Sequence, residues 1–346
     1  MNKYVILANP GHNRIYFDSA LKIAVSEIKA IAGAYDMKIN NIEEAHLGLP
    51  ASISFTTDRE LKKEDFRVLG FSSIYYALFE QVDGELLRPI NVPDFHTFPE
   101  SMVQILKYNG KTNEQFTRLM VNLAISSCNT DSKKITLFDP MCGKGTTLYE
   151  GLIRGYDVKG IEINGQWTKE IGTYLFRFLK EGRYKHKIIK SKQSNSKGKK
   201  IADVFTLTSA ADKTDYTNGN TQMLQLFNSD TTLANHLIKK KSCDIIVSDL
   251  PYGVQHGSKN NKGCNISRSP LELIKTAIPA WNHALKTKGS MVLSYNEFTM
   301  KYKDISGVFQ ENGFKVLDES PYDDYLHRVN QSINRNLIVA IKYNKI

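Results

Sequence analysis

Two short stretches of the sequence carry residue types that can hold a small molecule and act on it. Residues 138–147 read Phe-Asp-Pro-Met-Cys-Gly-Lys-Gly-Thr-Thr, between an apolar run and a helical pattern. A glycine-rich turn between a strand and a helix lets the backbone approach a ligand closely. Residues 248–253 read Ser-Asp-Leu-Pro-Tyr-Gly and end another apolar run. We interpret these stretches as two halves of one active site, the first for a cofactor and the second for the reacting group.

Three cofactors are candidates for the glycine turn. A P-loop nucleotide is disfavoured, because the P-loop spacing of glycines and lysine is absent. A dinucleotide is disfavoured, because Leu148 stands where its fingerprint has the third glycine. S-adenosylmethionine fits better, because Asp139 at the strand end can accept from its ammonium group. Glu162 lies 23 residues further on and matches the acid that holds ribose hydroxyls. Asp230 can accept from the adenine amino group, so three acids at successive strand ends predict an adenosine site.

The second stretch contains the acceptors that an exocyclic base amine requires in order to react. Such an amine is a weak nucleophile, because its lone pair is delocalised into the ring. Asp249 and the main-chain carbonyl of Leu250 can accept from its two N–H groups and free the lone pair, while Pro251 keeps the turn rigid. Tyr252 can stack on a base that has left its helix. These four residues are the predicted catalytic set, for a direct methyl transfer that needs no metal.

Together the two motifs resemble those of a known group of enzymes. Asp-Pro-Met-Cys-Gly-Lys-Gly-Thr and Asp-Leu-Pro-Tyr-Gly are similar to the cofactor and catalytic motifs of class I S-adenosylmethionine-dependent amino-methyltransferases. The usual catalytic motif is Asp/Asn-Pro-Pro-Tyr/Phe, so Leu250 departs from it. The resemblance is closest to the RNA methylase group that contains the tRNA guanine-N2 methyltransferases, and it covers roughly residues 98–343. It implies methylation of the guanine N2 amine in tRNA.

The resemblance also extends to two further segments. Residues 111–113 match the motif that closes over the methionine end of the cofactor, and residues 327–335 resemble the group's C-terminal signature. The N-terminal region shows no THUMP pattern. The predicted cofactor-binding residues are Thr112, Asn113, Asp139, Pro140, Cys142, Gly143, Gly145, Thr146, Glu162, Ile163, Asp230, Thr231 and Asp249. Contacts with substrate RNA are predicted at His256, Arg268 and Arg328. We interpret Cys142 as a packing residue.

The order of apolar patterns predicts the fold. Residues 1–95 predict a small α+β domain that can position RNA, with strands at 4–9, 51–55 and 72–81 and a helix at 19–32. In residues 96–346 strands and helices alternate, which predicts a Rossmann-like α/β methyltransferase domain. Its sheet is mostly parallel with an antiparallel closing strand. A helix is predicted at about 223–227, and residues 183–222 predict a basic, partly mobile surface insertion.

Composition limits the partners and the location. The net charge of +10 favours a polyanionic partner, and nine Lys or Arg residues but one acid lie between residues 180 and 200. No apolar run approaches the ~20 residues of a membrane span. The N-terminus does not resemble a secretory signal. The four cysteines lack CxxC spacing. We therefore expect a cytoplasmic protein with RNA, specifically tRNA, as its partner, and with neither membrane nor metal.

Three alternatives to RNA methylation stay open. They are a DNA amino-methyltransferase acting on adenine N6 or cytosine N4, a methyltransferase for proteins or small molecules, and a non-catalytic RNA-binding protein with a relic cofactor pocket. DNA enzymes of this kind usually carry a large target-recognition domain, yet only about 90 residues follow Tyr252. A compact recognition surface suits a folded RNA, which is recognised by shape and exposed bases.

Overall fold

Two β-sheets, each with its own helices, form the protein. The computed structural model describes residues 1–10, 14–84, 86–104, 112–252 and 270–343. A 5-stranded sheet lies in the N-terminal unit, residues 1–95, and a 10-stranded sheet lies in the rest of the described chain. None of the helices within these ranges has the length and apolar character that crossing a lipid bilayer requires.

The N-terminal unit is an antiparallel sheet packed with helices. Its elements in chain order are β1 (Asn2–Ala8), α1 (Arg14–Ala34), β2 (Ile39–Glu44), β3 (Ser52–Thr57), α2 (Lys63–Gly70), β4 (Tyr75–Asp83) and β5 (Leu86–Ile90). The strand order is β2-β3-β1-β4-β5. The central strand β1 has its apolar residues Tyr4, Val5 and Ile6 buried. The predicted strands and helix are present, and β2, α2 and β5 are additional to them. β5 pairs with β4 as a hairpin.

The larger sheet is built by the elements that follow. In chain order they are the 3-10 turn Glu100–Val103, α3 (Glu114–Ser127), β6 (Thr136–Asp139), α4 (Thr146–Ile153), β7 (Asp157–Glu162), α5 (Gly165–Glu181), β8 (His186–Ser194), β9 (Lys200–Ser209), α6 (Lys213–Asn218), β10 (Gln222–Asn228), the 3-10 turn Thr231–Leu233, α7 (Ala234–Leu237), β11 (Cys243–Asp249), α8 (Pro270–Ala284), β12 (Leu285–Asn296), α9 (Tyr302–Glu311), β13 (Phe314–Leu317), β14 (His327–Arg328) and β15 (Asn334–Lys342).

The strand order of this sheet is β13-β15-β12-β11-β6-β7-β10-β9-β8, with β14 paired to β15. The five central strands, from β12 to β10, are parallel, and β15 is antiparallel to both of its neighbours on the path. Parallel strands are buried on both faces and therefore form near-continuous apolar runs in a sequence. The Rossmann-like fold with an antiparallel closing strand is confirmed, and β9 and β8 extend the opposite edge with antiparallel pairs.

Two predictions of local structure are wrong. Residues 223–227 were predicted to be helical but belong to β10, where buried Leu224 and Leu226 alternate with half-buried neighbours. A short apolar run does not distinguish a helix from a strand by its period. The segment 183–222 was predicted to be a basic, partly mobile surface insertion. Its basic strand β8 is largely exposed, but β9 buries Ala202 and Leu207 and pairs with β8 and β10, so the segment extends the sheet. The β-branched and aromatic residues of the run 204–208 favour the strand β9.

A buried polar network joins the N-terminal unit to the larger sheet. Glu27 of α1 is fully buried and accepts from the Ser73 main-chain N–H at 2.9 Å and from the Asn122 side chain of α3. Arg154 Nη1 donates to Asn122 Oδ1 at 2.7 Å, and Arg154 Nε donates to Glu150 Oε1 at 2.8 Å. Burial raises the pKa of Glu27. Rotation of the unit would leave these buried groups without partners, so the network fixes its orientation on the sheet.

Candidate active site

Four neighbouring strands of the larger sheet end in acids at one edge. Asp139 ends β6, Glu162 ends β7, Asp249 ends β11, and Asp230 follows β10 by two residues. These strands are adjacent in the order β11-β6-β7-β10. Ligands of open α/β sheets bind outside the carboxyl ends of the strands. The structure therefore brings the predicted cofactor acids and the predicted catalytic acid to one edge.

The glycine turn after β6 has a backbone that favours glycine at two positions. Gly143 and Gly145 have φ angles of 53° and 90°, which residues with a Cβ rarely adopt. A Cβ on Gly145 would lie 3.1 Å from the Tyr149 ring, whereas a Cβ on Gly143 would enter open space. The Gly143 N–H donates to Glu162 Oε2 at 2.9 Å. Gly145 thus permits close packing, and Gly143 leaves space in front of the turn.

Asp139 is the most deeply buried of the four acids at this edge. Its Oδ1 accepts from the Met141 main-chain N–H at 3.0 Å and from Ser248 Oγ at 2.7 Å. Burial raises the pKa of Asp139 to about 7, although these hydrogen bonds favour the carboxylate. Since Ser248 directly precedes Asp249, the Ser248–Asp139 hydrogen bond holds the cofactor turn and the catalytic turn next to each other.

The two remaining cofactor acids differ in exposure. Glu162 is buried, accepts from the Asn164 main-chain N–H at 2.8 Å, and has its pKa raised by burial. The next side chain, Ile163, is 50% exposed and offers an apolar surface beside it. Asp230 is exposed, and its Oδ1 caps the following turn through the Thr232 main-chain N–H at 2.8 Å. Glu162 is therefore buried beside the cofactor turn, and Asp230 is exposed at the same edge of the sheet.

Four other predicted cofactor residues are buried within the protein. Pro140 and Thr146 are buried. Cys142 is buried, and burial raises the pKa of its thiol, so it is a packing residue as the sequence indicated. Thr231 is buried, and its Oγ1 accepts from the Trp281 indole N–H at 2.8 Å. Their roles toward a cofactor stay predictions.

The acids at this edge fit S-adenosylmethionine by their chemistry. The hydrogen bonds to Asp139, Glu162 and Asp230 described above come from main-chain amides and hydroxyls and therefore pair these acids with no positive charge. A ligand with a sulfonium and an ammonium group is attracted by such a site. The open space in front of Gly143 permits close approach of the backbone to that ligand. These residues would hold the amino-acid, ribose and adenine parts.

The catalytic turn places Asp249 between two hydroxyl groups. Thr112 Oγ1 donates to Asp249 Oδ2 at 2.6 Å, and the Tyr252 hydroxyl donates to Asp249 Oδ1 at 2.5 Å. Burial and the adjacent Asp249 carboxylate raise the pKa of Tyr252, so its phenol stays protonated and acts as a donor. The Leu250 main-chain N–H donates to the Ser294 carbonyl at 2.9 Å. Hydrogen bonds therefore hold both oxygens of the Asp249 carboxylate and the main chain of the next residue of the Asp-Leu-Pro-Tyr turn.

Arg335 of β15 reaches this turn from the C-terminal end of the chain. Its Nε donates to the Tyr252 hydroxyl at 2.7 Å. Its guanidinium lies 4.3 Å from the centroid of the Phe116 ring and 5.4 Å from that of the Tyr252 ring. Arg335 is buried, and β14 pairs beside it, with His327 opposite Arg335. The hairpin of residues 327–335 thus supports the catalytic turn through the contacts of Arg335.

Some predicted site residues have other roles or fall outside the described ranges. Thr112, predicted to contact the cofactor, contacts Asp249, and Asn113 caps α3 by accepting from the Phe116 main-chain N–H at 3.1 Å. Arg328 is exposed on β14. His256 and Arg268 lie outside the described residues.

Sequence reasoning missed Arg335 and Ser248 as site residues. The resemblance of residues 327–335 to a group signature was the available signal for Arg335, but it gave no contact. Among the described residues, no three His, Cys, Asp or Glu side chains are grouped so that they could hold a metal ion.

Comparison with known proteins identifies the family of the larger unit. Residues 105–303 match the model of the family described as RMKL-like, methyltransferase domain. This range is more than half of the chain and contains both the cofactor turn and the catalytic turn. No curated protein matches the chain.

Solved structures show weaker similarity. The structure of TrmN from Thermus thermophilus aligns with 68% of this chain at 11% identity and a TM-score of 0.38. The alignment covers 50% of that structure, so this chain matches half of its length. An rRNA methylase from Streptococcus thermophilus aligns with 62% of this chain and 89% of its own, at 10% identity and a TM-score of 0.34. Similarity at this level identifies no substrate.

Proposed function

The chain belongs to the family of RMKL-like methyltransferase domains, and on that premise we propose that it methylates the N2 amine of guanine in tRNA. It is an S-adenosylmethionine-dependent methyltransferase, as its family and its cofactor turn indicate. The RNA substrate, the guanine amine and tRNA are the parts of the proposal that go beyond the family.

The observation that carries the proposal is the position of Asp249. Its two oxygens accept from Thr112 and Tyr252, and the carboxylate lies at the end of a strand adjacent to the one that carries Asp139. Each carboxylate oxygen has two acceptor sites, so Asp249 can still accept from an incoming N–H group. The Leu250 main-chain carbonyl is the second acceptor of the proposed amine. This arrangement suits an amine with two N–H groups.

The chain's own residues orient the amine and receive its proton. When bound, S-adenosylmethionine would supply a methyl group on a positively charged sulfur; a nitrogen lone pair can attack that carbon while the carbon–sulfur bond breaks and its electron pair stays on the sulfur, which leaves as a neutral thioether. Asp249 and the Leu250 carbonyl turn the amine so that its lone pair faces the cofactor turn. The nitrogen becomes positively charged as its new bond to carbon forms. Asp249 stabilises that charge and takes up the proton that the nitrogen releases.

Thr112, Tyr252 and Arg335 keep the Asp249 carboxylate in one orientation. The Tyr252 phenol donates to Asp249 and accepts from Arg335, so the three groups form a chain of hydrogen bonds. Arg335 lies over one face of the Tyr252 ring, and the proposed stacking on the target base uses the opposite face. A rigid acceptor contributes to the rate, because the geometry exists before the amine arrives.

The secondary structure of the chain after the catalytic turn supports the proposal of an RNA substrate. The described residues from 270 to 343 are occupied by α8, β12, α9 and the strands β13–β15, which belong to the sheet and its covering helices. Within that range no further domain is present to recognise a duplex sequence. The basic composition favours a polyanion. The guanine N2 amine and tRNA rest on the resemblance of the two motifs.

The test of this proposal is transfer of labelled methyl groups to defined nucleosides. The full chain is incubated with methyl-labelled S-adenosylmethionine and, in parallel, unmodified tRNA, rRNA or DNA, and each product is digested to nucleosides. We expect the label in N2-methylguanosine from tRNA. Label in N6-methyladenine or N4-methylcytosine from DNA would overturn the substrate. Cofactor binding without transfer to any nucleic acid would support a relic pocket instead.

A further inference from the structure

Positive charge is distributed unevenly along the chain. The N-terminal unit contains 10 Lys or Arg residues and 13 Asp or Glu residues, whereas the whole chain contains 46 and 36. The N-terminal unit is therefore net acidic, and the larger unit carries the entire excess of positive charge. Contacts with RNA phosphates that depend on charge are expected from the larger unit.

The densest basic surface of the described chain is the β8–β9 hairpin, which we call the basic ribbon (residues 183–209). All nine Lys and Arg residues between positions 180 and 200 are exposed. One of them, Lys200, pairs with an acid, Asp203, at 2.8 Å. The turn of the ribbon is ordered by main-chain hydrogen bonds, including Gly198 N–H to the Asn195 carbonyl at 2.9 Å. The basic ribbon therefore presents fixed positive charge.

The turn of the basic ribbon lies at the same edge of the sheet as the active site. Asp203 of β9 pairs with Asn228, the last residue of β10, and the ribbon continues past that pair toward its turn. Ser229 Oγ donates to the Ile201 carbonyl at 2.7 Å, and Gln193 Nε2 donates to the His236 carbonyl at 2.8 Å. These bonds hold the ribbon against the segment that follows β10. Its turn thus projects beyond the carboxyl ends of the strands.

The distance from the basic ribbon to the catalytic turn fits the size of a folded RNA. Five steps separate β8 from β11 in the sheet order. Neighbouring strands lie about 4.8 Å apart, so the separation across the sheet is about 24 Å. An RNA helix is about as wide as this distance, so a single stem can contact both places when its target base lies at the catalytic turn.

We propose that the basic ribbon binds the phosphate backbone of the substrate RNA and that Lys190, Lys192, Lys197 and Lys199 provide the contacts. This inference rests on the proposed RNA substrate and adds the surface that holds it. The lysines attract phosphates without selecting a base, so they determine affinity, while the catalytic turn selects the amine. Binding at the ribbon releases counterions, which makes the affinity depend on salt.

Exposed lysines on β8 have one other explanation, which the test must separate from RNA binding. β8 is the edge strand of the larger sheet in the described chain, and lysines on edge strands prevent pairing with another molecule. In that case the lysines would affect aggregation and would leave RNA affinity unchanged. Replacement by glutamine removes the charge and keeps a polar chain, while replacement by arginine keeps the charge.

The experiment compares three full-length variants with the wild type by their binding to labelled, unmodified tRNA and to labelled duplex DNA over a range of salt concentrations. The first replaces the four ribbon lysines by glutamine (K190Q/K192Q/K197Q/K199Q), and the second replaces them by arginine. The control removes four exposed lysines elsewhere (K29Q/K38Q/K63Q/K315Q), which gives the same change in net charge. Methylation kinetics are measured on the same samples, and light scattering reports aggregation.

We expect the glutamine ribbon variant to bind tRNA at least about tenfold more weakly than the wild type at 0.1 M salt. The slope of log affinity against log salt should decrease by about 3, since each phosphate contact contributes roughly 0.7 to 0.9. KM for tRNA should rise with kcat unchanged, and the arginine variant and the control should behave as wild type.

Equal affinities and slopes for the ribbon variant and the control would overturn the inference. Tighter binding of duplex DNA than of tRNA through these lysines would overturn the RNA assignment of the ribbon. If the wild type transfers no methyl group to RNA, the proposed function fails, while the binding data still decide the role of the ribbon.

Discussion

The cofactor turn and the catalytic turn lie side by side at one edge of the sheet but are built in opposite ways. Most of the hydrogen bonds of the cofactor turn come from groups close in sequence, and one comes from Ser248, 109 residues from Asp139. Asp139 bonds to the second residue after it, and Glu162 bonds to Asn164 and to Gly143, 19 residues away. The catalytic turn is held by distant groups: Thr112 is 137 residues from Asp249, and Arg335 is 83 residues from Tyr252.

This difference predicts that cofactor affinity and the rate of methyl transfer depend on different parts of the active site. Most of the hydrogen bonds that hold the cofactor turn come from β6, β7 and the residues that directly follow them. Long-range hydrogen bonds make the catalytic turn depend on α3, β12 and β15 being in place. We therefore expect changes at the catalytic turn to alter the rate of methyl transfer and changes at the cofactor turn to alter cofactor affinity.

The largest expected effect is on the catalytic turn itself. Asp249→Ala removes one of the two acceptors for the amine, and we expect turnover to fall by about 10³-fold or more, as for loss of a preorganised electrostatic contact. The measurement is the single-turnover rate with tRNA. Asp304→Ala, which removes an acid from the exposed start of α9, is the control. Wild-type turnover in Asp249→Ala would show that the catalytic assignment is wrong.

A smaller effect is expected when the support of the catalytic turn is removed. Arg335→Gln leaves the Tyr252 phenol without the donor that now lies 2.7 Å from it, so the carboxylate is held less firmly. We expect kcat to fall by about 10- to 100-fold, with cofactor affinity unchanged. Arg67→Gln, an exposed arginine of α2, is the matched control. A fall in cofactor affinity with kcat retained would contradict the division between the two turns.

A change in the cofactor turn should weaken cofactor binding instead of lowering the rate of methyl transfer. Gly143→Ala places a residue with a Cβ at a φ of 53°, which strains the backbone by about 1–2 kcal/mol. It also fills the open space in front of the turn. Gly198→Ala in the basic ribbon introduces similar strain at a φ of 75° without touching the site. Both variants should lose similar stability in thermal unfolding, but only Gly143→Ala should weaken cofactor binding, by about tenfold. Equal cofactor affinities in the two variants would refute the role of Gly143.

The smallest effect is a pH dependence of cofactor affinity. Burial raises the pKa of Asp139 to about 7. A bound cation favours the carboxylate, so binding below pH 7 must release a proton from Asp139 and becomes weaker as the pH falls. Calorimetric titration with S-adenosylmethionine from pH 6 to 8 should show this loss, up to about tenfold per pH unit. The loss should be absent in Asp139→Asn, and a constant affinity in the wild type would contradict it.

The same division between local and distant contacts explains what the sequence could predict. The acids at the ends of β6, β7 and β11 were predicted, because a strand end and its following turn are adjacent in sequence. The parallel core was predicted from apolar runs for the same reason. Arg335 was not predicted as a partner of Tyr252, because nothing local to residues 327–335 shows that β15 returns to the catalytic turn.

The errors in the fold have a related cause. β10 was assigned as a helix because its four apolar residues are too few to define a period. Its ladder with β7 and β9 decides its structure, and β7 lies far from it in the chain. The basic residues of β8 indicated a loop by composition, yet pairing with β9 makes them part of the sheet.

The most direct test of the central claim measures rate and cofactor affinity together in Asp249→Asn and Gly143→Ala. The substitution of Asp249 keeps the size of the side chain and removes its charge. We predict that Asp249→Asn loses about 10³-fold in the single-turnover rate, while its affinity for S-adenosylmethionine stays within about twofold of wild type. Gly143→Ala should recover most of its rate at saturating cofactor. If both variants lose rate and affinity in the same proportion, the two turns act as one unit, and the proposed separation of cofactor binding from amine activation is wrong.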